Sequence, residues 1–375
     1  MKICFVVNEC SFFYSHRFEL AKKLISIGEI FLITDYTNTD KKILQEINSS
    51  GIHLKLVKKR ASHKGVIGFI LYLCNLKKAV KLINPSRIFF VTLEISLAGI
   101  LVSLLNTKIK CFYLVTGFGP FFFKKNFKSR FIYLFCKFMF LYASIKKNSK
   151  FIFQNVEDMN IFIQRRLSSK KNSILIHGSG INTKQVKFKP RNESDPVSFL
   201  FASRLVKAKG TNEYVVASEL LKNIYPEISI NMIGKYDVED PDSITEDLFK
   251  KILTSTHVNY LGEIDIDKMS DLLHEYTIFV LPSHGEGLPK SALEAAASGM
   301  PLILSSASGC KECIFENKNG LLIEIMNEDN LKDAMEWMLL NKKKIWEMSN
   351  ASRNLIESKF SLEKIFLEYK NIIIN

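Results

Sequence analysis

Two acids, Glu286 and Glu294, stand with seven residues between them, in a stretch that also holds Gly285, Gly287, Leu288, Pro289, Lys290 and Ser291. An apolar run, Ile278–Leu281, leads into it, and small, helix-favouring residues follow. This order predicts a strand, a glycine-rich turn and a helix. Pro289 falls at the expected first helical position, where the missing N–H has no partner to lose. A helix start presents unpaired amides and the positive end of a dipole, which is a seat for phosphate. A carboxylate on either side of that seat can accept hydrogen bonds from sugar hydroxyls, one at each end of a nucleotide sugar. The bland alternative is a plain α/β turn with two surface acids, and the length and ordering of the pattern argue against it.

Cations for the same chemistry stand earlier. The apolar run Phe199-Leu200-Phe201-Ala202 is followed by Arg204 and Lys209, with Gly210 behind. When a glycosidic bond to a nucleoside diphosphate breaks, charge gathers on the leaving group, so cations fixed against it favour the transition state over the ground state. Three weaker patterns accompany these. Gly178, Gly180 and Asn182 lie in His177-Gly178-Ser179-Gly180-Ile181-Asn182, whose glycines suit either a tight crossing between domains or a ligand contact. Ser15, His16 and Arg17 follow the first apolar run, where a lone histidine is a structural cap as readily as a ligand. Thr116, Gly117, Phe118 and Gly119 follow another such run. Two D-x-D patterns, Asp240-Pro241-Asp242 and Asp265-Ile266-Asp267, could hold a divalent cation. Both sit in polar stretches and read as surface loops, so no essential metal and no cofactor is expected. Cys310-Lys311-Glu312-Cys313 has no second pair or histidine cluster nearby, and buried thiols explain it better than zinc or redox chemistry.

Stepping outward, short apolar runs alternate with helical stretches through both halves. Strands are expected at Ile3–Val7, Ile30–Thr34, Leu54–Val57, Ile88–Val91, Lys110–Val115 and Phe151–Gln154. Six more follow at Val197–Ala202, Ile228–Ile233, Val258–Leu261, Thr277–Leu281, Pro301–Ser305 and Gly320–Ile323. Such alternation implies parallel sheets covered on both faces. A length of 375 residues suits two domains. The polar stretch Gln185–Pro196 marks the expected boundary, giving a first domain over residues 1–190, a second over 191–358 and a final helix in 359–375. The fold class is therefore α/β: two doubly wound, Rossmann-like domains facing each other across a cleft.

Charge divides the same way. Residues 1–190 hold 32 Lys and Arg against 9 Asp and Glu, whereas 191–375 hold 20 against 29. Around Lys124, Lys125, Lys128, Arg130 and Lys137 the basic half interleaves Phe121, Phe122, Phe123, Phe127, Phe131, Tyr133, Phe138 and Phe140. Large apolar groups beside cations suit an anionic membrane surface. A buried amphipathic helix with a solvated basic edge is the competing explanation. Nucleic acid is disfavoured, because no binding motif accompanies the charge. No apolar run reaches the length of a membrane span, and the start of the chain reads as a strand. A cytoplasmic protein, peripheral on the inner face of the membrane, is expected.

The E-x7-E stretch, with Gly287-Leu288-Pro289-Lys290-Ser291 inside it, resembles glycosyltransferase family 4, whose members have the GT-B fold and retain anomeric configuration. The resemblance implies that Glu286 contacts the transferred sugar, that Glu294 binds the ribose hydroxyls, and that Arg204 and Lys209 neutralise the diphosphate. His177–Asn182 resembles the segment ending the first domain in that family. Thr116–Gly119 and Ser11–Arg17 resemble the subgroup that extends lipid-linked bacterial surface glycans such as O-antigen and capsule; Thr116 stands where many members carry a histidine. The final helix is then expected to cross back onto the first domain. Together these imply a hexosyltransferase moving an N-acetylhexosamine or hexose from a UDP-sugar to a polyprenyl-diphosphate-linked glycan. Two rivals remain: a nucleotide-sugar 2-epimerase or hydrolase on the same fold, and a non-catalytic membrane or nucleic-acid binding module.

Overall fold

The computed structural model describes residues 1–58, 66–103, 108–117, 127–315 and 318–375. The chain divides into two units: Met1–Gly180 together with Leu362–Asn375, and Ile181–Ser361.

The first unit is built on a parallel sheet of β1 (Lys2–Glu9), β2 (Glu29–Asp35), β3 (His53–Leu56), β4 (Arg87–Val91), β5 (Lys110–Val115), β6 (Ser149–Phe153) and β7 (Ser173–Leu175), in the order β3-β2-β1-β4-β5-β6-β7. The order reverses between β1 and β4. Its helices are α1 (Cys10–Leu24), α2 (Lys41–Ser49), α3 (Val66–Ile83), α4 (Leu93–Ser103), α5 (Phe127–Ile145) and α6 (Val156–Gln164). The central strands are apolar throughout because helices cover both faces. On one face Phe5, Phe89 and Phe112 stack across adjacent strands, with ring centroids 5.0 and 4.5 Å apart. On the other, Tyr113, Phe151 and Phe140 meet Tyr72, Leu76 and Ala98 from the covering helices.

The second unit carries β8 (Ser198–Ala202), β9 (Ser229–Ile233), β10 (Asn259–Tyr260), β11 (Ile278–Leu281), β12 (Leu302–Ser305) and β13 (Gly320–Ile323), all parallel, in the order β10-β9-β8-β11-β12-β13. Around them lie α7 (Thr211–Ile224), α8 (Glu246–Thr254), α9 (Ile266–Leu272), α10 (Lys290–Ser298), α11 (Ser308–Lys311), α12 (Glu328–Leu340) and α13 (Lys342–Leu355). The last helix, α14 (Leu362–Ile374), belongs to the first unit. It sinks Leu362, Ile365, Tyr369 and Ile373 among α1 and the sheet, and the Arg87 Nε donates to its Ile373 carbonyl at 2.7 Å.

The division at Gly180–Ile181 falls ahead of the polar stretch at 185–196, and two arginines show why. Arg191 is buried in the second unit and donates to the carbonyls of Tyr276 (3.0 Å), Ser298 (3.0 Å) and Leu273 (2.6 Å). Arg353, on α13, donates to those of Val186 (3.0 Å) and Ala297 (2.9 Å). The polar segment is thus clamped along the second unit and is no linker. Burial pushes the Arg191 guanidinium down to about 10. At the crossing, Gly180 has φ +79°, and an added Cβ would meet the Leu362 backbone, so only glycine suits the position.

Candidate functional site

Every expected donor-binding residue lies in the second unit, on two loops that leave neighbouring strands β8 and β11 and on the helix α10 that follows the second loop. The first, residues 203–210, ends in a left-handed Gly210 (φ +72°) whose missing Cβ leaves room for the Pro282 carbonyl. The second, residues 282–289, runs into α10. The expected helix start holds to within one residue: Lys290 is the first helical residue and Pro289 its N-cap. Its leading amides therefore point at the loop, as the phosphate-seat argument requires.

Glu286 is the centre of this arrangement. Lys209 Nζ forms an ion pair with Glu286 Oε1, and Ser283 Oγ donates to the same oxygen at 2.9 Å. The Glu286 side chain is only 10% exposed, and the Lys209 side chain 21%. Enclosing a carboxylate without such partners would be costly. The backbone is held as well. The Gly309 N–H donates to the Glu286 carbonyl at 3.0 Å, and Ser305 Oγ donates to that of Ser283. Gly285 faces open space, and Leu288 packs on the core. Glu294 lies one helical turn beyond Lys290 and is ion-paired with it. Both acids of the E-x7-E pattern thus carry a lysine, and neither projects as a bare anion.

Arg204 behaves differently from Lys209. Its side chain is 63% exposed and pairs with Asp240 at 2.5 Å. Asp242 accepts from the Ala208 N–H at 3.0 Å, next to Lys209. The Asp240-Pro241-Asp242 segment, read from sequence as a plain surface loop, therefore braces both cations. Proximity across three elements carried that role, and spacing along the chain held no sign of it. Asp265 caps α9, with Asp267 in its first turn. Among the described residues no cluster of metal-ligating side chains occurs. Cys310 and Cys313 are buried, and burial pushes both thiols well above the ordinary cysteine range, with the nearby Glu286 charge adding to the effect on Cys310.

The remaining candidates belong to the first unit. Ser15 Oγ and His16 Nδ1 are 2.7 Å apart near the start of α1, and the His16 ring stacks on Phe12 at 4.3 Å. Ser179 Oγ donates to the His16 carbonyl, so the Gly178–Gly180 loop rests on this helix. Asn182 lies just inside the second unit. Arg17 departs from the expectation of a cleft residue. It is 3% exposed and sits beside the Tyr369 hydroxyl at 3.4 Å, between α1 and α14. One position along a helix turns a side chain by about 100°, so adjacent His16 and Arg17 could not share a face. Thr116 and Gly117 follow β5 and are half-buried. Phe118 and Gly119 lie outside the described residues, as do Phe121–Phe123, Lys124 and Lys125 and the side chains of Phe127, Lys128, Arg130 and Phe131.

Comparison with known proteins places this loop-and-helix arrangement. A family model described as glycosyl transferases group 1 matches residues 182–355. The chain is 26% identical, over 92% of its length and 90% of the relative's, to N,N'-diacetylbacillosaminyl-diphospho-undecaprenol alpha-1,3-N-acetylgalactosaminyltransferase of Campylobacter jejuni. An O-antigen biosynthesis glycosyltransferase of Escherichia coli, WbnH, is 38% identical across 27% of this chain and 28% of its own. Among solved structures, sucrose-phosphate synthase of Thermosynechococcus elongatus superposes with a TM-score of 0.79 at 15% identity, covering 100% and 98% of the two chains. Anabaena HepE, solved with UDP and glucose, gives 0.78 at 15% identity and covers both chains fully. The fold is therefore GT-B, and the residues matched by the family model lie in its second unit.

Proposed function

We propose that the protein is a retaining, metal-independent hexosyltransferase that moves a sugar from a UDP-sugar to a polyprenyl-diphosphate-linked glycan in surface polysaccharide synthesis. The observation that carries this reading is the enclosed Lys209–Glu286 pair beside the N-terminus of α10. A diphosphate seated on the amides of that helix would draw Lys209 and Lys290 toward its own charge. Glu286 and Glu294 would then be free to accept hydrogen bonds from hydroxyls of the sugar and the ribose. Arg204, held on a flexible exposed stem, adds a second cation for the leaving group.

In the proposed step the C–O bond from the anomeric carbon to the diphosphate breaks, and its electron pair stays on the phosphate oxygen. The acceptor hydroxyl bonds to the anomeric carbon from the same face, and its proton passes to that oxygen. Lys209, Arg204 and the helix amides stabilise the charge as it develops, which is where fixed donors act most strongly. This same-face route is what makes the reaction retaining, and the helix end and cations do the work a metal does elsewhere.

The lipid-linked acceptor has its support in the Campylobacter relative, whose name specifies an undecaprenol-linked substrate. The first unit adds physical support for action at a membrane surface. On α5 the residues Leu134, Phe138, Leu141 and Ile145 follow a helical stripe that is exposed, while Cys136, Met139, Phe140 and Ala143 are buried against the sheet. On α3, exposed Ile67 and Ile70 lie on the same helix as exposed Lys77, Lys78 and Lys81. A helix that is apolar on both faces has one face without a protein partner, and cations nearby suit an anionic headgroup layer. No helix among the described residues is long and apolar enough to cross a membrane, so docking would be peripheral, on the inner face.

The test is thermal unfolding in a chelator with UDP, ADP, GDP and a panel of UDP-sugars. A raised melting temperature with UDP, and a further difference among its sugars, is the expected result, since only ligands that favour the native state stabilise it. A transition moved by no nucleoside diphosphate overturns the donor reading. Stabilisation that requires added divalent metal overturns its metal-independent part.

A further inference from the structure

Beside the Lys209–Glu286 pair stands a polar contact that takes no part in the chemistry above. Glu213 stands in the first turn of α7, its side chain 8% exposed, and its Oε1 lies 2.7 Å from His284 Nε2. Burying a carboxylate without a partner is costly, and a helix N-terminus alone recovers only part of that cost, so this contact holds His284 firmly. His284 sits between Pro282-Ser283 and Gly285-Glu286, the residues that deliver Glu286. Its backbone N–H donates to the Ala208 carbonyl at 2.8 Å, one residue before Lys209. The imidazole and the backbone of a single residue thus tie the Glu286 loop to both ends of the turn that carries Lys209. Gly285 beside it has no side chain to do the same, and a Cβ there would meet open space.

We infer that His284, held by Glu213, is a positioning residue that sets the place of Glu286 relative to Lys209. The inference rests on the donor reading for its consequence in nucleotide binding, and on geometry alone for its consequence in the loop. Either ring state can make the contact, since neutral imidazole with Nε2–H and imidazolium both donate to the carboxylate. A glutamine at 284 can present a side-chain N–H to Glu213, whereas alanine cannot.

The experiment uses the full chain as wild type, His284→Ala, His284→Gln and Glu213→Gln, with two readouts. Amide hydrogen exchange over residues 283–288, without nucleotide, is expected to quicken about tenfold or more in His284→Ala, because the hydrogen bond to a charged group is lost. UDP affinity by calorimetry should weaken about tenfold in the same variant, and His284→Gln should recover most of both losses. Glu213→Gln keeps the shape and takes the place of His284→Ala if that variant fails to fold. Unchanged exchange in the loop overturns the inference whatever the nucleotide does. So does a loosened loop that still binds UDP like wild type. If wild type binds no nucleoside diphosphate, the donor reading falls, and the exchange data alone decide whether His284 positions the loop.

Discussion

The two units share an architecture and differ in how they expose it. In the second, the charged side chains of the candidate site are tied into pairs: Lys209 with Glu286, Lys290 with Glu294, Arg204 with Asp240. In the first, the polar candidates Ser15 and His16 hydrogen-bond to each other, while large apolar side chains such as Phe138 and Ile145 are 62% and 73% accessible. On the proposed function, one unit would meet a small, highly charged ligand and the other a broad surface. Point changes should therefore hurt the second unit more than the first.

The largest expected difference is catalytic. Lys209→Ala should lower kcat about 10²–10³-fold, the cost of removing one fixed donor from a developing anion. The melting temperature should stay near that of wild type, because Ser283 still donates to Glu286. Ser15→Ala, in the first unit, should cost less than about tenfold. Equal losses from the two substitutions would mean that both units contribute reacting groups, and the contrast would break.

Next comes stability. Arg191→Met removes donors from the otherwise buried carbonyls of Tyr276 and Leu273. A loss of about 3 kcal/mol is expected for those orphaned acceptors, or roughly 10 °C in melting temperature. Calorimetry that resolves the two units should place the loss in the second. If the first unit melts early instead, residues 181–196 belong to it in solution and the division at Gly180–Ile181 is misplaced.

A gentler change sharpens the surface side of the comparison. Leu134→Ser with Phe138→Ser should leave the melting temperature within about 2 °C, since both side chains already face water. Binding to vesicles containing anionic phosphatidylglycerol should fall about tenfold or more, given what burying two such side chains contributes. Unchanged vesicle binding would leave the apolar stripe without a role at a membrane.

These contrasts also explain what could be read in advance. The strand–turn–helix passage of the second unit was legible because the strand β11, the loop after it, the proline at the helix start and the body of α10 are local features. Both parallel sheets were legible for the same reason, from apolar runs of strand length. Elements without such a signature were not. α4 lies between α3 and α5 and is apolar all round, so it shows no period. β7 has only three residues, and α2 and α6 are short. Their caps were present, with Asp40 accepting from the Lys42 N–H and Asn155 from that of Asp158, but a cap marks a helix only once its body is recognised. The partners of Arg204, Arg17, His284 and Arg191 lie 36 to 352 positions away, where no local pattern reaches. Buried arginines were the least legible of all, because composition counts them as surface charge.

Arg17 yields the smallest effect and the finest test. It is a buried charge of the first unit, 3% exposed, and its Nε makes no hydrogen bond among the described residues. Its contact with the Tyr369 hydroxyl at 3.4 Å is long, and burial already raises the tyrosine, so that hydroxyl stays protonated and accepts through its oxygen. Tyr369→Phe keeps the ring against Phe89 and deletes only the oxygen, so about 1 kcal/mol should be lost in chemical denaturation. A loss of several kcal/mol would show that the hydroxyl is the main support of the guanidinium. In that case α14 is fastened to the first unit by one polar contact more than by the apolar faces of Leu362, Ile365 and Ile373, and the first unit depends on a point interaction after all.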